Sequence, residues 1–213
     1  MLRRKLSLLL FVPTIVCGCA NKEFDYAKFY KERCEFFTSL IETDKHCDID
    51  FIGDSITERY ELDKYYSEYK TANRGISGDT TDMLLTRMEI SSILLEPKLI
   101  SLLIGTNNLD TCMRNYEYIL KGFKDNLPET KVVVVSILPR RGDKNMKKIA
   151  ENNSQISLLA ASYNYTYVDL YSEYLKDGKV NESLFKDGLH PNASGYQLMT
   201  DLLKPVFVEL LNE

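Results

Sequence analysis

A serine, an aspartate and a histidine stand far apart in this chain, each in a setting where it could serve the others. Ser55 follows the apolar run Ile49-Asp50-Phe51-Ile52 at a turn made by Gly53 and Asp54, and Asp187-Gly188-Leu189-His190 comes near the C-terminus. Ester hydrolysis through an acyl-enzyme needs a hydroxyl nucleophile, a base for its proton, a carboxylate to hold that base, and donors for the developing oxyanion. Ser55 can be the nucleophile; taken alone it reads equally well as the cap of the next helix, because Ser-Ile-Thr-Glu resembles a helix start. His190 is the candidate base, since the chain has only two histidines and His46 precedes the first strand, at the wrong rim. Asp187 lies three residues before it, close enough for its carboxylate to reach one imidazole nitrogen while the other faces Ser55. An imidazole accepts a proton only when neutral, so activity is expected to fall below about pH 6 to 7.

Two further segments could donate to an oxyanion. Asn73-Arg74-Gly75-Ile76-Ser77-Gly78-Asp79-Thr80-Thr81 has glycines where backbone must approach a ligand, with Asp79 or Thr80 placed to cap the following helix. Gly105-Thr106-Asn107-Asn108 offers an asparagine amide. Each segment, taken singly, reads as a loop or a cap.

These residues need a scaffold that gathers them. Apolar, β-rich runs at 49–52, 70–73, 99–104, 132–137 and 165–168 alternate with helical patterns at 24–41, 81–92, 115–123, 147–163 and 194–211. Such alternation with continuous apolar strands predicts a parallel sheet covered on both faces. The expected fold is a single three-layer α/β/α, flavodoxin-like domain with a five-stranded parallel sheet. Pro205 should kink or split the last helix. In such a sheet the strand C-termini form one rim where ligand sites gather, and every segment above falls on it.

The N-terminus reads differently. Met1-Leu2-Arg3-Arg4-Lys5 precedes an apolar stretch, interrupted by Pro13, that is too short to span a bilayer. Residues 1–18 are expected to be a lipoprotein-type signal peptide. Val16-Cys17-Gly18-Cys19 resembles a lipobox, which makes Cys19 the expected lipid anchor, residues 19–23 a tether, and 24–213 the folded domain. Cys17 is an unusual occupant of that motif, and cleavage after Ala20 is the plainer alternative. The protein is thus expected to be exported to the cell envelope and held on a membrane. Removing Arg3, Arg4 and Lys5 takes the formal net charge from −4 to −7, which disfavours nucleic acid as a partner. Cys34, Cys47 and Cys112 have no metal-ligand spacing; buried thiols are expected, with a Cys34–Cys47 disulfide as the alternative.

In order, Gly53-Asp54-Ser55, Gly78, Gly105-x-Asn107 and Asp187-x-x-His190 resemble the four blocks of the SGNH (GDSL) hydrolase family. The resemblance covers about residues 49 to 195. It implies Ser55, Asp187 and His190 as a catalytic triad, with an oxyanion hole from the Ser55 and Gly78 N–H groups and the Asn107 side chain. It implies no metal and no cofactor. Asn73-x-Gly75-Ile76-x-Gly78-Asp79-Thr80-Thr81, Gly105-Thr106-Asn107-Asn108 and Leu138-Pro139-Arg140 look like the catalytic subunits of platelet-activating-factor acetylhydrolase, which favours short acyl groups such as acetyl. Position 57 is Thr, so the Gly-x-Ser-x-Gly elbow of another hydrolase architecture is missing. The expected partner is a small-molecule or glycan ester; the oligomeric state is not legible. The alternatives are a lysophospholipase or lipase, or a non-catalytic glycan-binding surface lipoprotein. Arg141-Gly142-Asp143 and Arg140 read as solvated surface, and Tyr65, Tyr66 and Tyr69 as packing.

Overall fold

Five short aliphatic runs become parallel strands: β1 (Ile49–Gly53), β2 (Thr71–Gly75), β3 (Leu99–Leu103), β4 (Lys131–Val135) and β5 (Thr166–Val168), in the order β2-β1-β3-β4-β5. This computed structural model describes residues 24–212; the expected leader, Cys19 and its tether lie outside the described residues. Every residue of β1 and β3 is buried, as strands covered on both faces must be.

Around the sheet run α1 (Tyr26–Ser39), α2 (Ile41–Asp44), α3 (Ser55–Glu58), α4 (Leu62–Tyr65), α5 (Thr81–Ser91), α6 (Met113–Asn126), α7 (Asp143–Ser162), α8 (Leu170–Glu173) and α9 (Ala193–Asn212). Alternation along the strands divides the core. Ile49, Phe51, Leu99, Leu103, Val133 and Val135 pack with Met199, Leu203 and Phe207 of α9. Ile52, Ile100, Leu102, Val132 and Val134 face Leu84 and Met88 of α5, Ile119 and Phe123 of α6, and Ile149 and Ile156 of α7. Each large apolar side chain so buried contributes about 1.5–3 kcal/mol relative to exposure. The five-stranded parallel sheet between two helical layers is the fold expected from the sequence.

Three details differ from that expectation. The last helix is neither split nor ended by Pro205, although proline removes a backbone donor. Leu203 before it and Phe207 after it are buried in one core, and that shared packing keeps the helix continuous. A hairpin of β6 (Leu175–Lys176) and β7 (Lys179–Val180) turns at Asp177 and Gly178, with φ of 53° and 72°. An Asp-Gly pair suits such a two-residue turn, but each strand is only two residues long, too short to leave an alternating pattern. Strand β2 extends to Gly75 and so takes in Arg74, a buried cation paired with Asp44 at 2.8 Å.

Cys34, Cys47 and Cys112 are free thiols, the latter two buried. Among the described residues no helix is long and apolar enough to cross a membrane.

Candidate active site

The chain leaves β1 for β2 at one edge, then crosses back to β3 on the other side of β1. A crevice therefore opens beyond the C-terminal ends of β1 and β3, flanked by the loops after β1, β2 and β3.

Ser55 is placed by a tight exit from β1. A Cβ on Gly53 would lie 2.2 Å from the Leu103 carbonyl oxygen and 2.3 Å from Thr57 Oγ1, so only glycine lets the turn fold back this closely. The cap of α3 is Asp54, whose Oδ1 accepts from the Ile56 N–H at 2.9 Å. Ser55 is the first helical residue, and its hydroxyl is left for another partner. Its Oγ lies 2.9 Å from His190 Nε2.

His190 is held from behind. Asp187 Oδ2 lies 2.8 Å from His190 Nδ1, while Asp187 Oδ1 accepts from the backbone N–H groups of His190 at 2.8 Å and Leu189 at 3.1 Å. The His190 N–H and imidazole hold the Asp187 carboxyl well below the usual carboxylate range. The loop is closed at its base by the Lys186 N–H donating to the His190 carbonyl at 2.8 Å and by a bridge between Phe185 and Pro191. Arg141 braces it from outside: its N–H donates to the Gly188 carbonyl at 3.1 Å, and its guanidinium meets Glu182 at 2.9 and 2.6 Å. Arg141 is exposed, as its sequence context suggested, but it is engaged with the histidine loop rather than free.

Gly78 and Asn107 are linked through Asp79. Asn107 Nδ2 donates to the Asp79 carbonyl at 2.8 Å, which ties the loop after β3 to the loop after β2. Gly78 adopts φ +82°, a conformation that disfavours any side chain. Asn108 Nδ2 donates to Thr81 Oγ1 at 3.0 Å and anchors the same loop to the start of α5. Thr80 caps α5 through Met83 N–H, which leaves Asp79 to turn inward.

Asp79 meets Arg87, a residue the sequence reading passed over. Arg87 Nε and Nη2 reach Asp79 Oδ2 at 2.8 and 2.6 Å; Nη2 also donates to the Gly53 carbonyl at 3.0 Å, and Nη1 to Ser91 Oγ at 2.8 Å. The Gly53 carbonyl further accepts from the Ile76 N–H at 3.1 Å. One buried guanidinium thus fixes the loop of Gly78 against the strand end that carries Ser55. The signal was present in the sequence, because Leu84, Arg87, Met88 and Ser91 share a helical face on which an arginine requires a buried acid.

His46 lies at the opposite end of the sheet, exposed, with its Nδ1 3.6 Å from Glu96. Tyr65 and Tyr66 are packed in the core. Beside the serine, burial pushes the Asp54 carboxyl up to about 7, and its Oδ2 has no protein partner.

A parallel five-stranded α/β/α domain with serine, histidine and aspartate joined at its C-terminal rim is the architecture of an acyl-group hydrolase. The chain belongs to the GDSL-like lipase/acylhydrolase family, whose sequence pattern matches residues 51–198. It is similar to a Streptococcus pneumoniae protein provisionally named a platelet activating factor, at 26% identity and a TM-score of 0.78 over 85% of this chain and 94% of that one. A GDSL-like lipase from Bacteroides thetaiotaomicron is similar at 26% identity and a TM-score of 0.72, over 84% of this chain and 97% of that one. An acetylxylan esterase from Geobacillus stearothermophilus shares the fold at 20% identity and a TM-score of 0.64, over 76% of this chain and 94% of that one. No curated protein matches the chain.

Proposed function

We propose that the protein is a serine esterase that removes short acyl groups, acetyl foremost, through an acyl-enzyme on Ser55. The observation that carries this reading is the run of two contacts from Ser55 Oγ to His190 Nε2 at 2.9 Å and from His190 Nδ1 to Asp187 Oδ2 at 2.8 Å. In this mechanism His190 takes the hydroxyl proton as Ser55 Oγ attacks the ester carbonyl carbon. Asp187 orients the ring and balances the imidazolium, which then protonates the departing alcohol oxygen. Water, deprotonated by the same imidazole, attacks the acyl-serine carbonyl, and the C–O bond to Ser55 breaks as the imidazolium returns its proton to Ser55 Oγ, releasing the carboxylic acid and restoring the free enzyme. The N–H groups of Ser55 and Gly78 and the Asn107 amide are the proposed oxyanion donors.

A short acyl group fits the relatives, one provisionally named for platelet activating factor and another an acetylxylan esterase. The proposed substrate is accordingly an acetylated small molecule or glycan at the cell envelope. That location, and a lipid on Cys19, rest on the leader sequence.

Labelling with a fluorophosphonate tests the chemistry: the intact protein is expected to react and Ser55→Ala to stay unlabelled, and labelling of both would overturn the assignment. Acetylated oligosaccharides, short p-nitrophenyl esters and lysophospholipids, compared by kcat/KM, test the substrate class. A preference for lysophospholipids would replace the acetyl reading with a lipase reading. Mass spectrometry of the mature N-terminus tests Cys19.

A further inference from the structure

Helix α1 lies against the loop that carries Gly78, and it grips that loop along its length. Tyr26, Tyr30, Arg33 and Phe37 recur at spacings that put them on one helical face. At the first of these positions the Tyr26 ring covers Gly78: a Cβ there would lie 2.9 Å from Tyr26 Cε2. One turn on, the Tyr30 hydroxyl donates to the Met83 carbonyl at 3.0 Å, which fixes the helix to α5. Arg33 Nη2 then donates to the Gly75 carbonyl at 3.2 Å, while its Nε lies 3.5 Å from Glu58 Oε1. Glu58 in turn accepts from the Ser77 N–H at 2.8 Å and from the Ser77 hydroxyl. Phe37 is fully buried, with the guanidinium carbons of Arg33 and Arg74 each 4.9 Å from its ring centroid and that of Arg87 at 5.7 Å.

The loop from Gly75 to Asp79 is thus pinned at its entry by Arg33, at its middle by Glu58 and at Gly78 by Tyr26. An oxyanion donor must be held to within about 0.5 Å to be useful. Gly78, in a left-handed conformation with no side chain of its own, gains part of that rigidity from a helix some 50 residues earlier.

We propose that helix α1 is a working part of the reaction centre, with Tyr26 and Arg33 as positioning residues that set the Gly78 N–H. This inference rests on the oxyanion role proposed above. The test measures kcat and KM for p-nitrophenyl acetate in Tyr26→Ala, Arg33→Ala and Arg33→Lys, with Ser55→Ala and the outward-facing Lys31→Ala as references, and the folded fraction of each by near-UV circular dichroism. Tyr26→Ala and Arg33→Ala are expected to lose between about 10- and about 100-fold in kcat with KM within about twofold, because a misplaced donor is missed in the transition state. Arg33→Lys should recover part of the loss by keeping the charge opposite Glu58. Unchanged kcat in both alanine variants, with Ser55→Ala inactive, would overturn the clamp and leave the serine assignment standing. A fall in kcat that merely tracks the unfolded fraction would overturn it as well. Full activity in Ser55→Ala would instead remove the reading on which the clamp depends.

Discussion

Arg87 and Asp79 form an ion pair at 2.6 Å with side chains only 1% and 0% exposed, and it lies beneath both loops that meet at Ser55. Burial raises the Asp79 carboxyl while the guanidinium lowers it, and burial prevails. Removing the cation alone therefore strands a carboxyl group in the interior. Arg87→Ala is expected to cost about 3–5 kcal/mol, read as a lower midpoint in urea. Arg87→Met combined with Asp79→Leu should be the milder change, and a double variant worse than Arg87→Ala would refute this account.

Chemistry should collapse when Ser55 or His190 is removed. Ser55→Ala and His190→Ala are each expected to lower kcat by at least about 1,000-fold, with Asp187→Asn less severe. Asn107→Ala should lose about 100- to 1,000-fold. Initial rates on p-nitrophenyl acetate check all four; near wild-type turnover in His190→Ala would exclude it as the base.

Asp50 gives the protein a pH-dependent stability unconnected with turnover. It is buried as the second residue of β1, accepts from the Ser92 hydroxyl, and is pushed by burial up to about 7. A folded value above the unfolded one, about 3.9, means that the folded chain holds the extra proton. Its contribution is complete below about pH 4 and is lost as pH rises through about 7. Asp187 has the opposite sign: its depressed value gives stability above about pH 4 that is lost on acidification. Urea midpoints measured from pH 4 to pH 8 should fall less steeply in Asp50→Asn than in the parent. Parallel profiles would show that Asp50 does not titrate in this window.

The Arg141–Glu182 pair is exposed, so its effect belongs to the histidine loop rather than to the fold. Glu182→Ala is expected to leave the thermal midpoint unchanged while lowering kcat between about twofold and tenfold. A large fall in the midpoint would make the pair structural instead.

The strands and most helix limits were legible because their apolar periodicity reports one-sided or two-sided burial directly, as in β3 and in α9. That Ser55, Asp187 and His190 meet was legible as well, since the strand order brings their loops to one rim. Arg33 and Glu58 were not, whereas the buried helical face of Arg87 did carry a signal. The roles of Arg33 and Glu58 come from pairings across 42 and 19 positions, made through a backbone carbonyl and a backbone amide that leave no trace in residue type. The continuity of α9 through Pro205 was not legible, because it depends on the packing on either side of the proline. The capping role passed from Ser55 to Asp54 for a similar reason: both can cap, and only the tertiary contact with His190 decides which one does.

The hydroxyl at position 55 and the imidazole at position 190 bracket nearly the whole sheet, and α9, which follows the histidine, must still dock Phe207 against Phe51. A chain halted before position 190 cannot form the contact between Ser55 Oγ and His190 Nε2. The pairing of these two side chains therefore depends on nearly the full length of the domain, from the exit of β1 to the loop before α9.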